Sequence, residues 1–261
     1  MERTTLQNGN CLNCGKKVEG SFCSNCGQKT QIPKITIREL FLTLIDSLNL
    51  EKGILYTAKE LTIRPGKTIR NYIEGKRVRY SNPVKYLLLI SAIAAFINLY
   101  VPYEDILNIK VEGTTDEAKA VETTITQLFG LVYRQYFTVI MVASIPIISF
   151  LTWIFFFKHK VNFAENMVLN TYLSAQSLII YIILNIPILL GLGQFLPEIT
   201  VAYSFLMVLY VIVGFIAFFR PQRVILAFFK GVVVHLIYYV GVSILVGGIV
   251  FAIVYQKGVI D

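Results

Sequence analysis

Long apolar runs at about Tyr86–Val101, Tyr136–Phe157, Met167–Leu192, Thr200–Phe219 and Gly231–Tyr255 constrain this chain more than anything else in it. A hydrocarbon core of about 30 Å needs about 20 helical residues at 1.5 Å each, so the last four runs are long enough and the first is short. With 55% hydrophobic residues the chain is too apolar for an ordinary soluble domain. The expectation is an all-α integral membrane bundle of about five transmembrane helices over 86–261. It should carry a small N-terminal zinc ribbon over 1–34 and amphipathic, basic juxtamembrane helices over 35–85.

Charge gives the expected orientation. Residues 1–85 hold 15 Lys and Arg against 7 Asp and Glu, whereas the remainder holds 9 of each. The loop after the first run is acidic, with Glu104, Asp105, Glu112, Asp116, Glu117 and Glu122 against Lys110, Lys119 and Arg134. Lys158, His159 and Lys160 follow the second run, no Lys or Arg separates the third from the fourth, and Arg220, Arg223 and Lys230 follow the fourth. A positive-inside arrangement then places the N-terminus in the cytosol and the C-terminus outside. The first apolar run follows about 80 polar and amphipathic residues and not a short basic leader, so the N-terminus is expected to stay where it is made. That reading rescues the short first run as a spanning helix.

The head carries two knuckles, Cys11-Leu-Asn-Cys14-Gly15 and Cys23-Ser-Asn-Cys26-Gly27. Each C-x2-C turn can aim two thiolates at one point, and the following glycine relieves the backbone there. Cys11, Cys14, Cys23 and Cys26 therefore read as four ligands of a structural Zn2+. Two disulfides, which require an oxidising compartment, and unpaired thiols are the alternatives. About 30 residues cannot bury a sufficient core, so the metal would supply most of the folding energy. The loop from Gly15 to Gly20 is only mildly basic, which favours a protein contact or spacer over nucleic acid.

Behind the head, Thr36-Ile-Arg-Glu39 has the form of a capping box, and Ile37, Leu40, Phe41, Leu44, Ile45 and Leu48 share one helical face. A second helix is expected from about Gly53 to Thr62, and a third from Pro65 to near Gly75. These helices are expected either in the membrane interface or as a small cytosolic bundle. Arg64, Lys67, Arg70, Lys76, Arg77 and Arg79 are candidates for contact with anionic lipid head groups or a cytosolic protein partner, at about 1 kcal/mol per basic residue near the surface. A topology signal without a specific ligand is the plainer alternative.

Arg64-Pro-Gly-Lys-Thr-Ile-Arg70, followed by Tyr72, Gly75-Lys-Arg77, Tyr80, Pro83 and Tyr86-Leu87 behind a cysteine-rich head, resembles a bacterial family of zinc-ribbon-headed multi-pass membrane proteins known only as a domain of unknown function. The resemblance covers roughly 11–90 and extends loosely to Asn162-Phe-Ala-Glu165. It implies a bacterial inner-membrane protein and supplies no activity.

Within the apolar runs His235 is the one ionisable candidate for a proton or ion path, against the commoner role of a hydrogen-bonded packing residue. Asn166, Asn170, Ser174, Ser177, Tyr181 and Asn185 line one face of the third run. They either glue helices by hydrogen bonds of about 0.6 kcal/mol each or line a polar path, with Pro146 and Pro187 supplying kinks. Ser243 and Gly247 read as an ordinary packing face. No carboxylate pair, nucleophile–base pair or open metal site is visible, so an enzyme is not expected. The favoured function is a membrane-anchored zinc-ribbon protein with an interaction or regulatory role at the cytosolic face. A small-solute transporter or channel using the third run is the alternative.

Overall fold

The computed structural model describes residues 3–4, 6–7, 9–32, 53–101, 128, 130–132, 135–157 and 161–256. The helix expected over Thr36–Leu48, the acidic stretch Glu104–Glu122 and the basic Lys158–Lys160 lie outside the described residues. The head contains two short antiparallel pairings, β1 (Arg3–Thr4) with β4 (Gln31–Ile32) and β2 (Leu6–Gln7) with β3 (Asn10–Cys11). The rest is helical: α1 (Ile54–Ile63), α2 (Pro65–Ile73), α3 (Pro83–Asn98), α4 (Gln135–Phe155, interrupted at Ser144), α5 (Phe163–Leu189), α6 (Leu196–Phe219) and α7 (Val224–Gln256).

Among the described residues four helices are long and apolar enough to cross a membrane, at Gln135–Phe155, Phe163–Leu189, Gly193–Phe219 and Val224–Ala252. This is a multi-pass membrane protein. The short first run forms α3, 16 residues or about 24 Å of helix. Three of the long helices begin earlier than the apolar runs suggest: α5 and α6 carry Glu165 and Glu198 in their first turns, and α7 has Lys230 within its first two turns. Asn162 accepts from the Glu165 N–H at 2.8 Å while the Glu165 carboxylate accepts from the Asn162 N–H at 3.1 Å, the reciprocal cap that N-x-x-E predicts. Pro221 sits in the connection that leads into α7 at Val224.

Helix α5 is the axis of the bundle. Val168, Leu169, Tyr172, Leu173, Ala175 and Leu178 are all buried, and α3, α4 and α6 pack around it. By contrast α6 and α7 expose Phe205, Val213, Ile225, Leu236, Val240 and Ile244, an outer surface suited to hydrocarbon. At Gly214 a Cβ would stand 2.6 Å from Leu173 Cδ2, so this glycine lets α6 approach the axis.

Helices α1 and α2 form a hairpin built into one end of this bundle, the end where α3 and α5 begin and α6 stops. Leu61 and Ile69 are fully buried. The Tyr210 hydroxyl of α6 donates to the Leu61 carbonyl at 3.1 Å, and Gln176 Nε2 of α5 donates to Thr62 Oγ1 at 2.7 Å. Gln176 lies about 20 Å along α5 from Phe163 by helix rise. The hairpin thus reaches well down the sides of α5 and α6, and we call this the head end of the bundle.

Polar bonds fix the hairpin to α3 as well. Tyr172 donates to the Ser81 carbonyl at 2.6 Å, Thr57 Oγ1 accepts from the Ser81 N–H at 2.8 Å, and Tyr86 donates to Gln176 Oε1 at 2.7 Å. Asn82 caps α3 by accepting from the N–H groups of Val84 and Lys85. Removing the hydroxyl in Tyr172→Phe leaves the Ser81 carbonyl without that donor in a buried site. We expect a loss of about 1 kcal/mol in detergent-micelle unfolding titrations; an unchanged midpoint would mean that Ser81 finds another donor.

Candidate metal centre and the junction that carries it

The two knuckles fold alike. The N–H of Gly15 bonds the Cys11 carbonyl at 2.7 Å and that of Gly27 bonds the Cys23 carbonyl at 2.8 Å, while the N–H groups of Cys11 and Cys23 bond the carbonyls of Lys16 and Gln28, both at 2.8 Å. Gly15 and Gly27 hold φ of 77° and 71°, the left-handed turn that brings each second cysteine back beside the first. All four Sγ atoms lie within 4.8 Å of one another, with Cys11 to Cys26 at 3.7 Å and Cys14 to Cys23 at 3.6 Å.

Those separations discriminate between the alternatives. A disulfide requires sulfurs about 2.05 Å apart. A tetrahedral thiolate site with metal–sulfur bonds of about 2.3 Å has edges of about 3.8 Å. The cluster has the second spacing and can hold a metal ion. Cys14 is lowered to about 6, first by a backbone hydrogen bond from Lys16 and further by its neighbours Cys26, Asn25 and Cys23, against the opposing effect of burial. A thiolate, the form a metal needs, is therefore available there near neutrality.

The head is not detached from the bundle. Gln28, which follows the second knuckle, is 3% exposed, and its Nε2 donates to the Gly75 carbonyl at 2.5 Å. Gly75 has φ of 111° in the turn that ends α2, a conformation that favours glycine. Elsewhere in the head Phe22 is 55% exposed, with Lys29 Nζ 5.9 Å from its ring centre.

The six basic residues expected to contact lipid or a partner divide by environment. Arg64 makes a two-pronged pair with buried Glu60, at 2.8 and 2.9 Å. Arg77 lies 5.3 Å over the Tyr72 ring and donates to the Tyr72 carbonyl at 3.3 Å, and Lys76 donates to Asn71 Oδ1 at 3.2 Å. Arg70 donates to the carbonyls of Ala217 and Phe218, at 2.8 Å for the latter, and so closes the C-terminus of α6. Lys67 and Arg79 are exposed.

The uncharged residues of the junction make packing contacts. Gly66 abuts the Ala217–Phe218 backbone, the Tyr72 ring meets Tyr172 edge to face at 5.5 Å, and Pro83 occupies the first turn of α3.

In the polar stripe of α5, Asn166, Asn170, Ser177, Tyr181 and Asn185 are buried and Ser174 is half-buried. Most bonds run along the helix: Asn170 to the Asn166 carbonyl, Ser177 to that of Leu173, Asn185 to that of Tyr181. Two reach across to neighbours, Tyr181 to Asn98 Oδ1 at 2.6 Å and Asn170 to Thr152 Oγ1 at 3.4 Å. At the end away from the head a cavity of about 360 Å³ is lined by Tyr181, Asn185, Tyr203, Met207, Tyr238 and Ser243, among others. His235 is buried, with Nδ1 3.1 Å from the Gly231 carbonyl and its ring beside Phe215. Ser243 is exposed, and a Cβ on Gly247 meets nothing within 4 Å, so the packing face expected there has no partner among the described residues.

A second polar face on α5 escaped sequence reasoning. Tyr172 and Gln176, one turn apart, tie the hairpin and α3 to the axis. Their i, i+4 spacing was the available signal, but a Tyr and a Gln in an apolar run do not announce which helix they meet.

Residues 51–95 match the family described as Protein of unknown function (DUF3667). The resemblance read from Arg64–Leu87 falls inside that segment. No curated protein and no solved structure matches the chain.

Proposed function

We propose that this is a membrane-anchored zinc-ribbon protein whose head and basic junction form an interaction or regulatory surface at the cytosolic face of a bacterial inner membrane. In this reading Cys11, Cys14, Cys23 and Cys26 hold a structural Zn2+. The N-terminus is cytosolic, the C-terminus lies outside, and the basic head end faces anionic lipid head groups. A closed four-thiolate site has no open position for a substrate, so the role assigned to it is not catalytic.

The observation that carries the reading is the buried Gln28–Gly75 bond, which seats the metal-bearing knuckle on the basic turn. The head so docked leaves Phe22 exposed, an aromatic of the kind enriched at protein contacts. Nucleic acid is the less favoured partner because the head surface is only mildly basic.

A fragment ending near residue 80 is the wrong reagent for testing this, since it would expose Leu61 and Ile69. The full chain is used instead, with a photo-reactive phenylalanine analogue in place of Phe22 and irradiation in living cells. A discrete cross-linked protein that disappears in Cys11→Ser is expected. Repeated irradiation that yields no adduct, from a head that still binds zinc, would defeat the protein-partner reading.

One observation favours the second reading, a small-solute transporter or channel. Tyr181 and Asn185 of the polar stripe open onto the 360 Å³ cavity. Solute flux in reconstituted vesicles that is lost in Asn185→Leu would support it.

A further inference from the structure

The C-terminus of α6 gathers positive charge that makes no ion pair among the described residues. Gly66 brings the start of α2 against the Ala217–Phe218 backbone, so that a Cβ there would stand 2.2 Å from the Ala217 carbonyl carbon. This contact sets Arg70 on the end of α6, and exposed Lys67 lies one turn from Arg70 on the same helix. Arg220, two residues beyond Phe218, holds φ of 46° and donates its N–H to the Ile216 carbonyl at 3.0 Å.

Carbonyls at a helix end attract cations, which explains Arg70. They do not explain three. Arg70 is pushed down by burial and then by the neighbouring Arg220 charge, with exposed Glu74 on its own helix acting weakly the other way. Among the described residues the ion pairs are Lys17–Glu19 and Arg64–Glu60; neither includes Lys67, Arg70 or Arg220, and the Glu60 carboxylate, which feels the Lys67 charge, is held by Arg64. Arg220 also marks the point where the apolar α6 ends.

We propose that Lys67, Arg70 and Arg220 form a seat for one phosphate group, supplied by an anionic lipid of the head-side leaflet. The seat rests on the reading above that the head end faces a head-group layer. A phosphate there bridges α2 to the α6–α7 connection and neutralises the two guanidinium groups together.

The test uses the full chain in nanodiscs of phosphatidylcholine with or without phosphatidylglycerol, with lipids retained after extraction counted by native mass spectrometry. Arg220→Asn keeps a residue that tolerates the left-handed backbone, and Lys67→Gln keeps the helix. Each is expected to weaken phosphatidylglycerol retention about five-fold, the factor corresponding to about 1 kcal/mol per basic residue. Competition by inorganic phosphate would support the seat and place its ligand in solution; failure to compete supports the lipid. Arg79→Asn is the control for diffuse charge. If it weakens retention as much as Arg220→Asn, the seat is overturned while the general lipid reading stands. If the chain retains both lipids equally, that reading fails too.

Discussion

A methyl group on Gly66 is expected to force α2 off the end of α6. The ideal Cβ would stand 2.2 Å from the Ala217 carbonyl carbon, 2.3 Å from its oxygen and 2.5 Å from the Phe218 nitrogen. All three are backbone atoms, so no rotamer change relieves the clash; the helices themselves must separate. Separation withdraws the Arg70 guanidinium from the carbonyls of Ala217 and Phe218 and loosens the packing of Ile69. We expect Gly66→Ala to cost about 3 kcal/mol, the upper part of the range for overpacked sites, in unfolding titrations of the micelle-embedded chain. Gly66→Leu should prevent folded protein from accumulating. A wild-type midpoint for Gly66→Ala would show that α2 does not touch α6 as closely as described. A glycine in open space gives the contrast: a Cβ at Gly241 meets nothing within 4 Å, and its alanine variant should cost nothing.

How much of this was legible depended on whether a residue acts locally. The knuckles were readable because a C-x2-C-G turn closes within five residues, and the Asn162–Glu165 cap because it closes within four. Long apolar runs were readable because the bilayer sets their length. Gly66 was visible as an oddity that topology alone does not require, but its partner is about 150 residues away, and no periodicity encodes that distance. The same holds for Tyr172 with Ser81 and for Gln28 with Gly75. The junction cations show the limit most clearly. Equal in sequence as positive charges near a membrane, Arg64, Arg70 and Arg77 are separated in the fold into an ion pair, a helix closure and a ring contact. The partners of Arg64 and Arg77 lie four and five residues away, whereas that of Arg70 is nearly 150 residues distant and only the tertiary fold supplies it.

Loss of a single thiolate should unfold the head and leave the bundle intact. Among the described residues the head buries Cys11, Cys23 and Gln28 and little that is apolar, so its fold has no hydrophobic core to fall back on. Structural zinc in small peptides supplies about 10–16 kcal/mol of apparent binding energy near neutral pH, which here would be folding energy. Cys11→Ser is therefore expected to lower zinc from about one per chain to near zero. Amide exchange over 9–32 should become fast while α5 stays protected. The pH dependence has a definite sign. The Cys14 thiol is lowered to about 6, so its thiolate is present above that value and is lost as pH falls through it. Bound metal competes with the proton and moves release lower still, so zinc should be held at neutrality and leave on acidification below about 6. Because Gln28 both accepts the Cys23 N–H through its carbonyl and reaches Gly75 through its side chain, metal loss should also free the Gly75 turn. Exchange at Lys76 and Arg77 should then rise with zinc release. Rising exchange in the head without any change in this turn would show that the knuckle is seated independently of its metal.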